Sequence, residues 1–531
     1  MNRRNVGNSG FDAEHDEQQP KEWPDTVHPH PKTTRLSLFR ESITTSATDA
    51  TPLARTIYQA RCEVAADTVA CPLSAAISTD ASTLAVVGAG GCSNGNSNLT
   101  IYFLDEQKGA DENGKKGQSI SDSGGFRYMA LDPGLEDGDE VAVDTAHKLA
   151  LIADKTRIKS FAWSSDVAFG GWTPPRGANV HTMNSGKYSG PVAALPGGRI
   201  ARAGSAGVAV WDLDTLETHQ GGRRVGPGSV KITFEDSCRD DGGSGTERST
   251  GSPPSTTVAF AEAGYSPSVW QLHTPTGYML CSGGGGCYLL DLEGGGKITI
   301  SFEGRYGGNV NAFSTSAGDA NMFVTACADG YARLYDVRHP KPVATVGSSG
   351  YGEEREGREL CRGAALVHPD GIPAVFTGGG QSQNVKMWDI RAHALVYELA
   401  TGNTAVHTLT WDDRRSTLYA GTECEYMDYR GNTRGYRGAH LPRWARDPPE
   451  PEHTPPGEGD EDYEMDDDDY DSAEESDDEH FWPKKAAHNE KAFGYAYDAG
   501  EHVFLRYQFK EDADPTVVPR YGQVYMERGG W

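Results

Sequence analysis

The chain lacks any run of about 18 apolar residues, and so offers no candidate bilayer-spanning helix. It also lacks Cys-x-x-Cys. Its nine cysteines are scattered between Cys62 and Cys424 and odd in number, which suits small buried hydrophobes better than a disulfide framework or a zinc site. Gly-x-Ser-x-Gly, a Walker A lysine loop and His-Glu-x-x-His are all missing, and with them the local signatures of several enzyme classes. The stretch Val86–Gly95 begins like a dinucleotide-binding turn but leads into another strand-like run, leaving no helix N-terminus for a pyrophosphate. His440, His453, His480, His488 and His502 are irregularly spaced and have no partner ligands at metal-site spacing. The sequence therefore implies no cofactor, no metal and no catalytic residue.

Positive charge is scarce as well. There are 49 Lys and Arg against 76 Asp and Glu, for a net charge of −27. Without clustered Lys and Arg there is no general pull on nucleic acid or an anionic membrane, so the expected partners are proteins, basic ones in particular. The acidity is concentrated: Glu450 to Glu479 holds seventeen Asp and Glu and no Lys or Arg. So many like charges repel one another and bury little, so this stretch is expected to stay extended and solvated. It carries a candidate surface for basic proteins, such as histones or ribosomal proteins, in Asp466, Asp467, Asp468, Asp469, Glu474, Glu475, Asp477, Asp478 and Glu479. A solubilising loop is the plainer reading of the same residues. Ser472 and Ser476 each precede an acidic residue by three positions, the pattern of an acidophilic casein-type kinase site, and phosphate there would deepen the negative charge.

What the sequence has in abundance is glycine, 65 residues of 531, together with 29 prolines. This frequency of breakers excludes long helices and favours short strands and turns. Residues 1–50 are polar and show neither hydrophobic period, which reads as a disordered arm. From about Ile57, runs of four to eight apolar and β-branched residues alternate with Gly, Asn, Asp and Pro. One unit then recurs: two strands, a turn with Asp or Gly, and a third strand that ends in an aromatic or aliphatic residue followed by Asp. Its clearest copies are "NMFVTACADGYARLYDVRHPKPVATV" from Asn321 and "PAVFTGGGQSQNVKMWDIRAHALVYEL" from Pro373. The residues ending the third strands, Phe103, Phe161, Trp211, Leu290, Tyr335 and Trp388, are 58, 50, 79, 45 and 53 positions apart. A four-stranded propeller blade needs about 40–45 residues, and loops take up the excess. The longest gap contains a Gly/Ser-rich loop insertion at 236–256. A seventh unit starts at Ala405, is interrupted, and resumes at Ala492.

These copies, "ADGYARLYDVR" and "NVKMWDIR" above all, resemble the WD-repeat β-propeller family, although the Gly-His dipeptide that usually opens each repeat is absent. The resemblance implies an all-β, seven-bladed propeller over 55–512, closed by pairing an N-terminal strand within Arg55–Ala65 with the last blade. An acidic disordered insertion at 431–488 would interrupt that blade, and 513–531 would form a tail. Such a ring implies a monomeric, non-catalytic scaffold for protein–protein interactions. The polar start without an apolar h-region adds the expectation of an intracellular protein, nuclear and/or cytoplasmic. Within the family, paired D-x-R boxes resemble those of substrate receptors of the cullin-4 RING ubiquitin ligase, where the arginines contact the damage-binding adaptor protein. Carried over, these are Asp336 and Arg338 in one unit and Asp389 and Arg391 in the next. The same spacing also suits a simple ion pair within a turn. A channel-site propeller enzyme, using carboxylates or histidines near the axis, is the alternative from a different class.

Overall fold

The computed structural model describes residues 60–66, 71–88, 97–107, 126–135, 138–205, 207–230, 247–262, 265–304, 309–347, 360–371, 373–380, 384–390, 394–401, 404–424 and 502–509. Among the described residues, twenty-eight strands, β1 to β28, form seven separate four-stranded antiparallel sheets. Blade one holds β2–β5 (Pro72–Ile77, Thr83–Gly88, Asn98–Gln107, Phe126–Leu131), and blade two β6–β9 (Glu140–Asp144, Leu149–Ala153, Arg157–Ala162, Asn179–Asn184). Blade three holds β10–β13 (Val192–Leu195, Arg199–Gly204, Gly207–Asp212, Thr256–Ala259), and blade four β14–β17 (Val269–His273, Tyr278–Gly283, Gly286–Asp291, Lys297–Phe302). Blade five holds β18–β21 (Val310–Ser316, Asp319–Cys327, Tyr331–Asp336, Pro342–Gly347), and blade six β22–β25 (Cys361–Val367, Ala374–Gly379, Asn384–Asp389, Ala394–Ala400). Blade seven is composite: β26 (Ala405–Asp412), β27 (Thr417–Glu423) and β28 (Val503–Phe509) are completed by the N-terminal β1 (Ala60–Ala66). The first strand of every blade touches the first strands of its two neighbours, which closes the ring around an axis. The only helical pieces among the described residues are two short 3-10 turns.

The expected seven-bladed propeller is thus observed, and each of the six marker residues lies in the third strand of its blade. The physical cause is that every sheet has two faces to bury and does so only between siblings. Trp211 and Tyr335 are fully buried, and Trp388, partly buried, donates its indole N–H to the Thr377 hydroxyl at 2.9 Å. Gly378, on the second strand of blade six, lets the next blade approach closely: a Cβ there would sit 2.2 Å from the Val406 side chain of blade seven.

Blade seven is fastened on both sides by aromatic rings. Towards blade one, Tyr102 stacks on Phe504 with centroids 5.9 Å apart, and Phe504 stacks on Tyr419 at 5.9 Å. Towards blade six, Phe376 packs on Trp411 and Phe509 at 5.9 and 5.6 Å.

One departure from the repeat plan went unread in the sequence. The segment between β12 and β13 does not simply loop out. Ser252 pairs in parallel with Met183 of blade two: its N–H donates to the Thr182 carbonyl at 2.9 Å, and its carbonyl accepts the Asn184 N–H at 2.8 Å. Val230 in turn donates to the Arg248 carbonyl at 2.8 Å, so two strips of blade three's insertion extend the outer edge of blade two. Gly251, at φ +89°, allows this approach, because a Cβ there would lie 2.7 Å from the Asn184 nitrogen.

The stacked seam predicts that Phe504→Ala lowers unfolding stability by about 3–5 kcal/mol. Denaturant titration measures it, and a loss below about 1 kcal/mol would show that the seam is not the fastening it is taken for.

Candidate functional site

Alternating strand direction gives the ring two faces. First strands begin and second strands end at one, here the upper face; third strands end at the lower.

The D-x-R boxes belong to the lower face, since Asp336 and Asp389 are the last residues of β20 and β24. Asp336 is nearly buried, and its carboxylate accepts the Arg338 backbone N–H at 2.9 Å, Nε–H at 2.8 Å and Nη2–H at 2.5 Å. That grip from Arg338 draws the Asp336 carboxyl down to about 2. The turn-level ion pair is therefore formed. Its guanidinium nevertheless remains on the surface, with 63% of the Arg338 side chain exposed. Asp389 is fully buried, whereas Arg391 lies outside the described residues.

The acidic insertion leaves β27 and returns to β28 at the upper face. Asp466 to Asp469, Glu474, Glu475, Asp477 to Glu479, and Ser472 and Ser476 with them, lie outside the described residues; the root of the insertion lies within. There the Cys424 N–H donates to Nδ1 of His502 at 3.0 Å, and the Thr422 hydroxyl donates to the Val503 carbonyl at 2.9 Å. Beside this neck, Glu423 is in contact with Nε2 of His407 and lies 3.1 Å from Nη1 of Arg362, which joins blades six and seven at the channel mouth. His407 first, then Arg362, pulls the Glu423 carboxyl down to about 2. Burial pushes the neighbouring Cys71 thiol up to about 12, which leaves it protonated and unreactive at neutral pH.

On the same face, Glu140 begins β6. Burial raises its carboxyl to about 7, the charge of Asp139 adds to the rise, and Arg202 opposes it. Arg202 itself is buried between blades two and three, donating to the carbonyls of Asp154 at 2.5 Å, Gly190 at 3.0 Å and Arg157 at 3.3 Å.

Blade two also holds polar groups that sequence reasoning missed. Ser160 and His181 form a buried pair, Oγ to Nδ1 at 2.9 Å, and burial drops His181 to about 3. The imidazole thus stays neutral, and its burial denies it to any external substrate. Lys159, fully buried, donates to the carbonyls of Pro133 and Glu247, both at 2.8 Å, and lies 3.2 Å from the Glu247 carboxylate. The one available signal was a lysine in an otherwise inward-facing strand, "RIKSFAW". Its partner in the insertion had none. Among the described residues, no group of three or more His, Cys, Asp and Glu is arranged to hold a metal ion.

No family model matches the chain, and no curated protein does. Among solved structures, the WD40 β-propeller domain of Doa1 is similar over 68% of this chain and 93% of that one, at 12% identity and a TM-score of 0.41. The fold assignment rests on the seven paired sheets themselves, and it is consistent with a WD-repeat protein.

The raised Glu140 carboxyl carries a signed prediction. A carboxyl lifted by folding binds protons more tightly in the native state, so its contribution to stability falls as pH rises from about 4.5 to about 7. Glu140→Gln should raise the melting temperature at pH 8, with the gain fading towards pH 4.5. A gain that does not change with pH would contradict the assignment.

Proposed function

We propose that this chain is a non-catalytic intracellular scaffold that holds two protein partners, one on the lower face and one through the acidic insertion of blade seven. A WD-type propeller supplies a rigid ring with broad faces, the usual frame of a protein-interaction scaffold. The observation that carries the reading is the root of the insertion. Its neck is tied by Cys424 to His502 and by Thr422 to Val503, while Glu423 is held by His407 and Arg362. Seventeen carboxylates can therefore be carried from one edge of the channel mouth without disturbing the blade that bears them. Such a tract attracts basic proteins over a distance set by ionic strength, and phosphate on Ser472 and Ser476 would strengthen the attraction.

Deleting Glu450 to Glu479 should weaken binding of a basic probe, such as a histone tail peptide, and flatten the dependence of affinity on salt. Unchanged affinity and slope would reduce the tract to a spacer.

A second reading is favoured by Arg338, which is exposed yet held in one geometry by Asp336, so that little side-chain entropy would be lost on docking. It makes the lower face a seat for the cullin-4 adaptor, with Arg391 as the second contact. Arg338→Ala combined with Arg391→Ala should abolish binding of purified adaptor while leaving the melting temperature unchanged. Full retention of binding would remove this reading.

A further inference from the structure

The outer strand of each blade presents an unpaired edge, which soluble proteins normally guard with charge, brevity or cover. In blade two, β9 is covered by the strip around Ser252. In blade one, β5 carries Arg127, which is ion-paired with Glu106 at 3.3 Å. In blade three, β13 is only four residues long, and in blade four β17 opens with the exposed Lys297. The edge of blade five differs. β21 reads Pro-Val-Ala-Thr-Val-Gly and holds no charge, and among the described residues nothing pairs with its outer side. Ala344 and Val346 turn inward, while Val343 and Thr345 are exposed. At 57%, Val343 is the most exposed large apolar residue described, and Tyr331, in the neighbouring strand β20, is another at 40%. The corner leading into β21 is fixed, because the Pro340 carbonyl accepts the Glu303 N–H of blade four at 2.6 Å. From 337 to 347 the exposed charged side chains are Arg338 and Lys341, both positive, and Glu303, whose N–H meets Pro340, is exposed as well.

We propose that this edge is a docking strip for an extended segment of another protein, acidic at one end and β-branched or apolar along its length, which adds as a strand beside β21. Main-chain hydrogen bonds would supply affinity, Val343 an apolar anchor, and Arg338 with Lys341 the orientation. Blade two already accepts an extended strip of this chain on its own outer edge, which shows that a blade of this ring can be augmented there. The proposal rests on the scaffold reading and shares Arg338 with the adaptor reading, but Val343 and Thr345 enter only here, so their variants let each fail separately.

The test uses the full chain and a fluorescent peptide, acetyl-Asp-Glu-Val-Thr-Val-Thr-amide, followed by anisotropy. Saturable binding is expected, weakened at least about tenfold when alternate peptide amides are N-methylated, and equally by Val343→Lys or Thr345→Lys at unchanged melting temperature. Undiminished binding of the N-methylated peptide or by the lysine variants would overturn the proposal, as would no saturation by about 1 mM. Two further results assign the strip to another occupant and also overturn it. One is self-association in sedimentation that Val343→Lys abolishes; the other is peptide binding that arises only after Glu450 to Glu479 is deleted.

Discussion

The ring depends on one pairing between distant parts of the chain. β1 supplies the fourth strand of blade seven by running antiparallel to β28, from Ala60 opposite Phe509 to Ala66 opposite Phe504. Until those strands meet, the outer edge of β28 is unpaired and blade seven, which stands between blades one and six, is one strand short. Forming a non-local contact of this kind costs loop entropy before it returns any packing energy. Tyr102, Phe504 and Tyr419 on one side, with Phe376, Trp411 and Phe509 on the other, return that energy in one place. The acidic insertion begins and ends in this same blade, between β27 and β28.

Charge contributes differently on the two faces. On the lower face, exposed pairs step from blade to blade: Lys148 to Asp80 at 2.8 Å, Arg414 to Asp105 at 2.9 Å and Arg199 to Glu293 at 2.5 Å. Each is worth roughly 0–1 kcal/mol, so they align neighbours more than they hold them. Lys159 of blade two and Arg202 of blade three are buried cations whose partners are mostly backbone carbonyls. Leaving either without its acceptors would cost far more than any surface pair supplies. This explains why the insertion of blade three is bound to blade two: Glu247 and its carbonyl complete the shell of Lys159.

The features legible in the sequence were those written into a local pattern. The third strands, with their aromatic or aliphatic end before Asp, repeat at spacings a blade can accommodate. The interrupted seventh unit followed from counting those repeats, and its N-terminal closing strand from the resemblance to the WD-repeat family. The Asp336–Arg338 pair was legible too, because two positions across a strand end bring the groups together whatever the rest of the chain does. What escaped depends on contacts between segments with no shared period. The strip around Ser252 sits in a Gly/Ser-rich stretch whose residues suit a loop, and only its position against β9 makes it part of a sheet. The need for glycine at 378 is set by Val406 of the next blade, against which a Cβ would clash. The raised carboxyl of Glu140 likewise arises from burial and from Asp139 and Arg202, and burial has no local sequence signature.

Amide hydrogen exchange on the full chain and on a chain lacking residues 1–66 tests the closure most directly. If the β1–β28 pairing fastens the ring, the shortened chain should lose protection in β27, β28 and the facing strands of blades one and six, and its unfolding transition should broaden or shift down. Equal protection of β28 in both chains, with the same transition midpoint, would show that the ring closes without that strand.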